Sequence, residues 1–271
     1  MTSILSTVGE LPDEAHAIHH LEPVMGTVVT IDVYAREGMR PPEITLGLAR
    51  ARATLRRADA VFSTWKVDSP MSRLRRGEIT CEEAPAEVAL VLGQCAIARE
   101  MSRGWFDPWA MPGGLDPTGY VKGWAAQRAL TALASSGMTG AMVNAAGDIA
   151  SFGGPEPATQ FRIGIVDPFA RGQLACVVEL AGALATSGNY ERGNHLIDPR
   201  TGRPATCVAS ASVSGPDLGL ADALATAVAV AGEAALDTIS ALDDYEALII
   251  TLDGNWRWTE GFPFASPDAS S

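Results

Sequence analysis

The chain has 271 residues, 47% of them hydrophobic and 19% charged, the composition of a globular protein long enough to bury a large core. Its net charge of −12 and pI of about 4.7 oppose the phosphate attraction that nucleic-acid binding depends on. No nucleic-acid partner is therefore expected, and an anionic ligand needs a local set of donors, cations or a bound metal.

The first 20 residues lack a basic n-region and read as a polar lead-in containing His16, His19 and His20, not as a secretory signal. The longest apolar run, around residues 221–231, is broken by Asp222, Thr226 and Gly232, which predicts no membrane insertion. Cys81, Cys95, Cys176 and Cys207 are scattered with no metal-ligand spacing and read as free structural thiols. An acidic, cysteine-poor chain without a signal points to the cytoplasm.

Residues 27–34 alternate apolar and polar side chains as a strand does, and a Gly/Pro break at residues 38–42 follows. Residues 44–60 have the periodicity of an amphipathic helix. A loop carrying Ser63, Thr64, Asp68, Ser69 and Pro70 precedes a second helix over residues 86–103. Residues 104–119 are rich in Gly, Pro and aromatics and read as a loop, after which residues 120–136 resume helical spacing.

Strands are expected over residues 141–152, with a turn at 144–148, and over 161–166 and 176–184. Residues 220–231 then read as a buried helix. Residues 247–252 and 255–259 read as a hairpin around Asp253-Gly254, and residues 265–271 as a disordered tail. No repeat or linker divides the chain, so the expectation is a mixed α+β domain over residues 21–264.

Four short elements carry chemistry. Asp222 and Thr226, four apart in an apolar helix, share one face and offer hard oxygens suited to Mg²⁺. The same pair also reads as a helix cap and a hydroxyl bonded back to its own backbone. Asp116, Gly119 and Lys122 stand at a loop-to-helix junction, where free N–H groups, the helix dipole and a formal charge favour an anion. An N-cap and a solvated lysine account for the same residues.

The third element is Asn144 to Asp148, whose small residues let a flat ring or a phosphate approach the backbone, or simply form a tight turn. The fourth combines Thr186-Ser187-Gly188 with His195 and the turn Asp198-Pro199-Arg200-Thr201-Gly202. His195 is the one histidine outside the lead-in.

In this order, these elements resemble the ApbE family of flavin transferases. The resemblance extends to Met25-Gly26-Thr27, Phe62-Ser63-Thr64-Trp65, Ser72-Arg73-Leu74 and Gly104-Trp105-Phe106-Asp107-Pro108, and spans about residues 25–232. It implies an α+β fold of largely antiparallel sheets flanked by helices. It also implies Mg²⁺-dependent transfer of FMN from FAD to a Thr or Ser hydroxyl of a partner flavoprotein, with AMP released.

By the resemblance, the side chains of Asp222 and Thr226 and the carbonyl of Gly119 hold Mg²⁺. Asp116, Lys122 and His195 contact FAD, while Met25 and Trp65 line the flavin site. Phe106, Asp107, Asn144, Thr186, Ser187 and Gly188 belong to motifs bordering it. Lys122 and Asp222 also serve the chemistry, and His195, Asp148 and Asp198 are the candidates for the base.

Two departures stand out. The segment between Phe106-Asp107-Pro108 and Asp116 is shorter than is usual in the family, and Ala146 replaces a glycine of the commoner NAGGD motif. Two other readings compete: an FAD pyrophosphatase, in which water replaces the acceptor hydroxyl, and a non-catalytic FAD-binding protein.

Overall fold

A computed structural model describes residues 17–35, 39–156, 159–170, 172–180, 182–188 and 196–266. Its centre is an eight-stranded sheet in the order β1-β2-β3-β4-β7-β10-β11-β12, antiparallel at every junction. The strands are β1 (Ala17–Val24), β2 (Thr27–Tyr34), β3 (Gly140–Ala145), β4 (Asp148–Phe152), β7 (Ala183–Ser187), β10 (Val208–Gly215), β11 (Glu246–Thr251) and β12 (Trp256–Trp258). Two hairpins stand apart from it, β5 (Phe161–Val166) with β6 (Leu174–Leu180), and β8 (Ile197–Asp198) with β9 (Arg203–Pro204).

The period-2 pattern of β2 puts Val29, Ile31 and Val33 wholly into the core. That face is covered by α1 (Pro41–Phe62), α4 (Thr118–Ala134) and α5 (Leu218–Ala231), while α2 (Pro70–Arg75) and α3 (Ala86–Met101) pack outside them. In α1 the buried residues Ile44, Ala51, Leu55, Ala58, Val61 and Phe62 recur at helical spacing. On the opposite face of the sheet, the β5/β6 hairpin closes a second core of Phe161, Ile163, Ile165, Val178 and Leu180 against Ile149, Leu184 and Leu248.

Helix α5 is apolar on nearly all sides because it lies between the sheet and its helical neighbours. The segment Leu218–Ser240 is long and apolar enough to cross a membrane by composition, yet 72% of its most apolar window is buried inside the fold.

Several expectations change. Residues 17–20, read as lead-in, open strand β1, where His19 pairs with Asp32 across the hairpin at 2.6 Å and His20 reaches Glu22 at 3.2 Å. The polar letters belong to an edge strand with one solvated face. Pro70, read as loop, instead opens α2 over residues 70–75, the rest of which the sequence assigns to no element; the Ser69 hydroxyl caps it by accepting from the Ser72 N–H at 3.0 Å.

The single strand expected over 176–184 is two, because β6 ends at Leu180 and β7 starts at Ala183 in a different sheet. Strand β10, assigned to no element from sequence, lies in the middle of the main sheet between β7 and β11. Ala265, placed in the expected tail, donates its N–H to the Val177 carbonyl at 2.9 Å, and residues 267–271 lie outside the described residues.

Candidate active site

The site begins where α4 crosses α5. A Cβ added at Gly123 would lie 2.3 Å from the Leu218 carbonyl oxygen and 3.0 Å from the Asp222 Cβ, so only glycine permits this approach. One turn earlier, a Cβ at Gly119 would stand 3.4 Å from the Thr226 hydroxyl and 3.3 Å from the Phe106 ring. The two glycines thus bring the first turns of α4 against the Asp222 and Thr226 face of α5.

Asp222 is 2% exposed and accepts the Gly123 N–H at 3.1 Å. It does not cap α5, since Asp217 does so by accepting the Leu220 N–H at 2.8 Å. The Thr226 hydroxyl lies 3.4 Å from that of Ser187, the last residue of β7.

Behind Asp222 stands Asp148, the first residue of β4, with no exposed surface. Its carboxylate forms an ion pair with Lys122 and accepts the Thr186 N–H at 3.3 Å. Burial raises both acids, Asp222 well above the usual carboxylate range, with the neighbouring Asp148 charge adding to the effect. Two buried carboxyl groups beside one ammonium favour a further cation at this point.

Among the described residues no group of three or more His, Cys, Asp or Glu side chains forms a metal cluster. What the α4–α5 crossing offers is one buried carboxylate, the Thr226 and Ser187 hydroxyls and the Gly119 backbone. This hard-oxygen set fits Mg²⁺, which keeps waters and ligand oxygens in its remaining positions, better than it fits zinc.

Asp222, Thr226, Gly119, Lys122 and Ser187 line a cavity of about 1160 Å³ together with Met25, Trp65, Phe106, Asp107 and Asp116. Met25 and Gly26, with φ of 53° and 70°, form the two-residue turn of the β1/β2 hairpin and bring its tip to the cavity. Trp65 lines the mouth with 93% of its surface exposed. Asp116 accepts the Thr118 N–H at 3.1 Å, and Asp107 pairs with Arg99 at 2.6 Å.

Asn144, Thr186 and Gly188 do not line this cavity. The Asn144 side chain instead accepts the Gly147 N–H at 2.8 Å and holds the β3/β4 turn that delivers Asp148. Thr186 bonds the Ser212 hydroxyl at 2.9 Å. His195 lies outside the described residues.

Two participants have no role in the sequence reading. Trp105 lines the cavity and is covered by the Arg200 guanidinium, 3.3 Å from its ring centroid, which packs the turn at residues 198–202 against the wall. Glu22 is 1% exposed and receives Arg52 and Arg56, each at 2.6 Å, tying the hairpin to α1. Asp148 had been one of several candidate bases; its ion pair with Lys122 becomes visible only once β4 and α4 are side by side.

A model of the ApbE family matches residues 25–114 and 110–249. The chain belongs to the ApbE family. Among similar proteins, the FAD:protein FMN transferase of Rhodobacter capsulatus is 38% identical over 165 residues, which is 57% of this chain and 30% of that protein. The FAD:protein FMN transferase of Treponema pallidum is 33% identical over 167 residues, 54% of this chain and 46% of that protein. The ApbE-family chain is thus aligned with less than half the length of either relative.

Among solved structures, the flavin transferase ApbE of Vibrio cholerae superposes with a TM-score of 0.76 at 21% identity, covering 92% of this chain and 98% of that one. The ApbE protein of Thermotoga maritima gives 0.76 at 24% identity, covering 90% and 97%. The ApbE fold, helices against a largely antiparallel sheet, is therefore the fold of this chain.

Proposed function

We propose that this ApbE-family chain moves the FMN half of FAD onto a Thr or Ser hydroxyl of a partner flavoprotein, in a Mg²⁺-dependent reaction that releases AMP. The observation that carries the reading is one cavity lined by a hard-oxygen set, Asp222, Thr226, Ser187 and Gly119, with Lys122 beside it, and by Met25, Trp65, Trp105 and Phe106. Its volume of about 1160 Å³ suits an elongated ligand with a flat ring at one end and phosphates further along.

In this reaction the acceptor oxygen bonds to the FMN-side phosphorus of the pyrophosphate. The bond from that phosphorus to the bridging oxygen breaks, AMP departs with the electron pair, and the hydroxyl proton passes to a base. Such phosphoryl transfer depends on alignment and charge neutralisation. The Asp222 and Thr226 side chains and the Gly119 carbonyl would hold Mg²⁺, which supplies charge neutralisation at the pyrophosphate oxygens.

The chain's own residues do the rest. The Gly123 N–H orients Asp222, and Asp148 holds the Lys122 ammonium at the cavity for a phosphate oxygen. Met25 and Trp65 flank the flavin ring. Of the candidate bases, Asp148 is engaged with Lys122, and Asp198 accepts from the Arg200 N–H at 2.9 Å and the Thr201 hydroxyl at 3.0 Å. We assign the proton to His195, since imidazole is the side chain suited to general-base work near neutral pH.

The test is incubation with FAD, Mg²⁺ and candidate flavoproteins, with mass spectrometry for phosphoester-linked FMN and chromatography for AMP. A labelled acceptor with equimolar AMP is the expected result. AMP and free FMN without any labelled protein, abolished by Asp222→Asn, would establish the pyrophosphatase instead. Metal-independent FAD binding with no AMP would establish a flavin-binding protein.

A further inference from the structure

Residues 108–116, between the Phe106-Asp107-Pro108 motif and the Asp116 carboxylate, form a closed loop on the cavity wall. Its ends are joined by the Asp116 N–H donating to the Pro108 carbonyl at 2.8 Å. Inside it, the Gly114 N–H reaches the Met111 carbonyl at 2.9 Å and the Trp109 N–H reaches the Asp107 carboxylate at 3.0 Å.

Arg99 pairs with Asp107 at its start, and Arg75 holds its far end. Arg75, the last residue of α2, donates from Nη2 to the Gly113 carbonyl at 3.0 Å, while its Nη1 stands 3.9 Å from Asp116 Oδ2. Its side chain is only 18% exposed. Gly113 has a φ of +84°, and a Cβ there would lie 3.1 Å from Nη2, so the loop backbone rests directly against the guanidinium. With Asp116 Oδ1 accepting the Thr118 N–H, the guanidinium faces the other carboxylate oxygen.

We propose that Arg75 is a positioning residue for the ligand: by bridging Gly113 and Asp116 it sets the short loop as a rigid wall and holds the Asp116 carboxylate at the cavity. There the carboxylate accepts from an N–H or O–H donor of the bound dinucleotide. The planar guanidinium hydrogen-bonds the Gly113 carbonyl through Nη2 while Nη1 stands 3.9 Å from the Asp116 carboxylate as an ion pair, a two-point geometry that a lysine point charge does not reproduce. The inference rests on the FAD reading above, since Asp116 lines the cavity proposed to take FAD.

The experiment compares Arg75→Gln, Arg75→Lys, Asp116→Asn and the double variant Arg75→Gln/Asp116→Asn, measuring FAD affinity by flavin fluorescence, steady-state AMP release, and folding by circular dichroism. Arg75→Gln is expected to raise the Kd and KM for FAD about tenfold while kcat stays within about twofold, the pattern of lost uniform binding. The double variant should lose less FAD affinity than the sum of the two single losses, because part of the Arg75 effect passes through Asp116.

Additive losses in the double variant, or unchanged FAD affinity in a folded Arg75→Gln, would overturn the proposal. If Arg75→Gln does not fold, Arg75→Lys decides, with a rise in KM of at least about threefold expected and an unchanged KM overturning it. A wild-type protein that neither binds FAD nor releases AMP defeats the functional reading itself. A wild-type protein that does both, matched by its Arg75 variants, defeats only the role of Arg75.

Discussion

The backbone N–H of Gly123 meets the carboxylate of Asp222 at 3.1 Å, across a helix crossing so close that a Cβ on residue 123 would stand 2.3 Å from the Leu218 carbonyl oxygen. One glycine therefore serves both the packing of α4 on α5 and the orientation of the acid at the centre of the site. Gly123→Ala is expected to force the helices apart and lower stability by about 2–4 kcal/mol, measured by chemical denaturation. Activity should fall with it, even well below the melting temperature.

Asp222 itself stands at the meeting of function and stability. Because burial and the Asp148 charge raise its folded pKa above 3.8, the folded protein binds more protons than the unfolded chain in that window, and the group's contribution to stability falls as pH rises. Asp222→Asn removes this penalty. The variant should have a melting temperature at or above that of the metal-free wild type, with a larger difference at pH 7 than at pH 5. Its FAD turnover should nevertheless drop about 10²-fold or more, since the carboxylate proposed to hold Mg²⁺ is gone. A fall in both stability and turnover would instead mark Asp222 as a packing residue.

Glu22 has the opposite sign. Burial alone would raise its pKa, but hydrogen bonds from Arg52, Arg56 and His20 reverse this and bring it down from 4.5 to about 2. Its stabilising contribution is thus fully present above pH 4.5 and lost as pH falls toward 2. Glu22→Gln should cost roughly 1–3 kcal/mol at pH 7, allowing for the solvent exposure of the two arginines. The difference from wild type should shrink progressively in urea titrations below pH 4.5 and vanish near pH 2.

Ala146 occupies the left-handed region, with φ of 56°, in the turn that delivers Asp148. An L side chain there is strained, whereas glycine is not, although glycine also loosens the unfolded chain. Ala146→Gly is expected to stabilise the protein by about 0.5–1 kcal/mol, read from the denaturation midpoint at unchanged slope. A loss of stability would show that the alanine methyl makes packing contacts that outweigh the backbone strain.

Much of this protein could be read from its letters. Residues 27–34 alternate and form β2; the 3.6-residue periodicity of 44–60, 86–103, 120–136 and 220–231 yields four helices within a few residues of their ends; and the Asp253-Gly254 turn joins the last two strands. The order of the short motifs, from Met25-Gly26-Thr27 to Asp222 and Thr226, was sufficient to suggest the family to which the chain belongs. These features are local: each depends on neighbours along the chain, and repeating side-chain patterns report them directly.

The tertiary structure decided which of those features meet. Nothing in the spacing of Glu22 to Arg52 and Arg56, of Arg75 to Gly113 and Asp116, of Lys122 to Asp148, or of Trp105 to Arg200 announces a partnership. Each arises because two elements distant in sequence present facing surfaces once the apolar faces of sheet and helices are buried. Asn144 shows the converse, since a residue suited by its letters to a ligand's edge is used to hold a turn. Periodicity tells a side chain which way to face, but what it touches is set by the packing of the whole core.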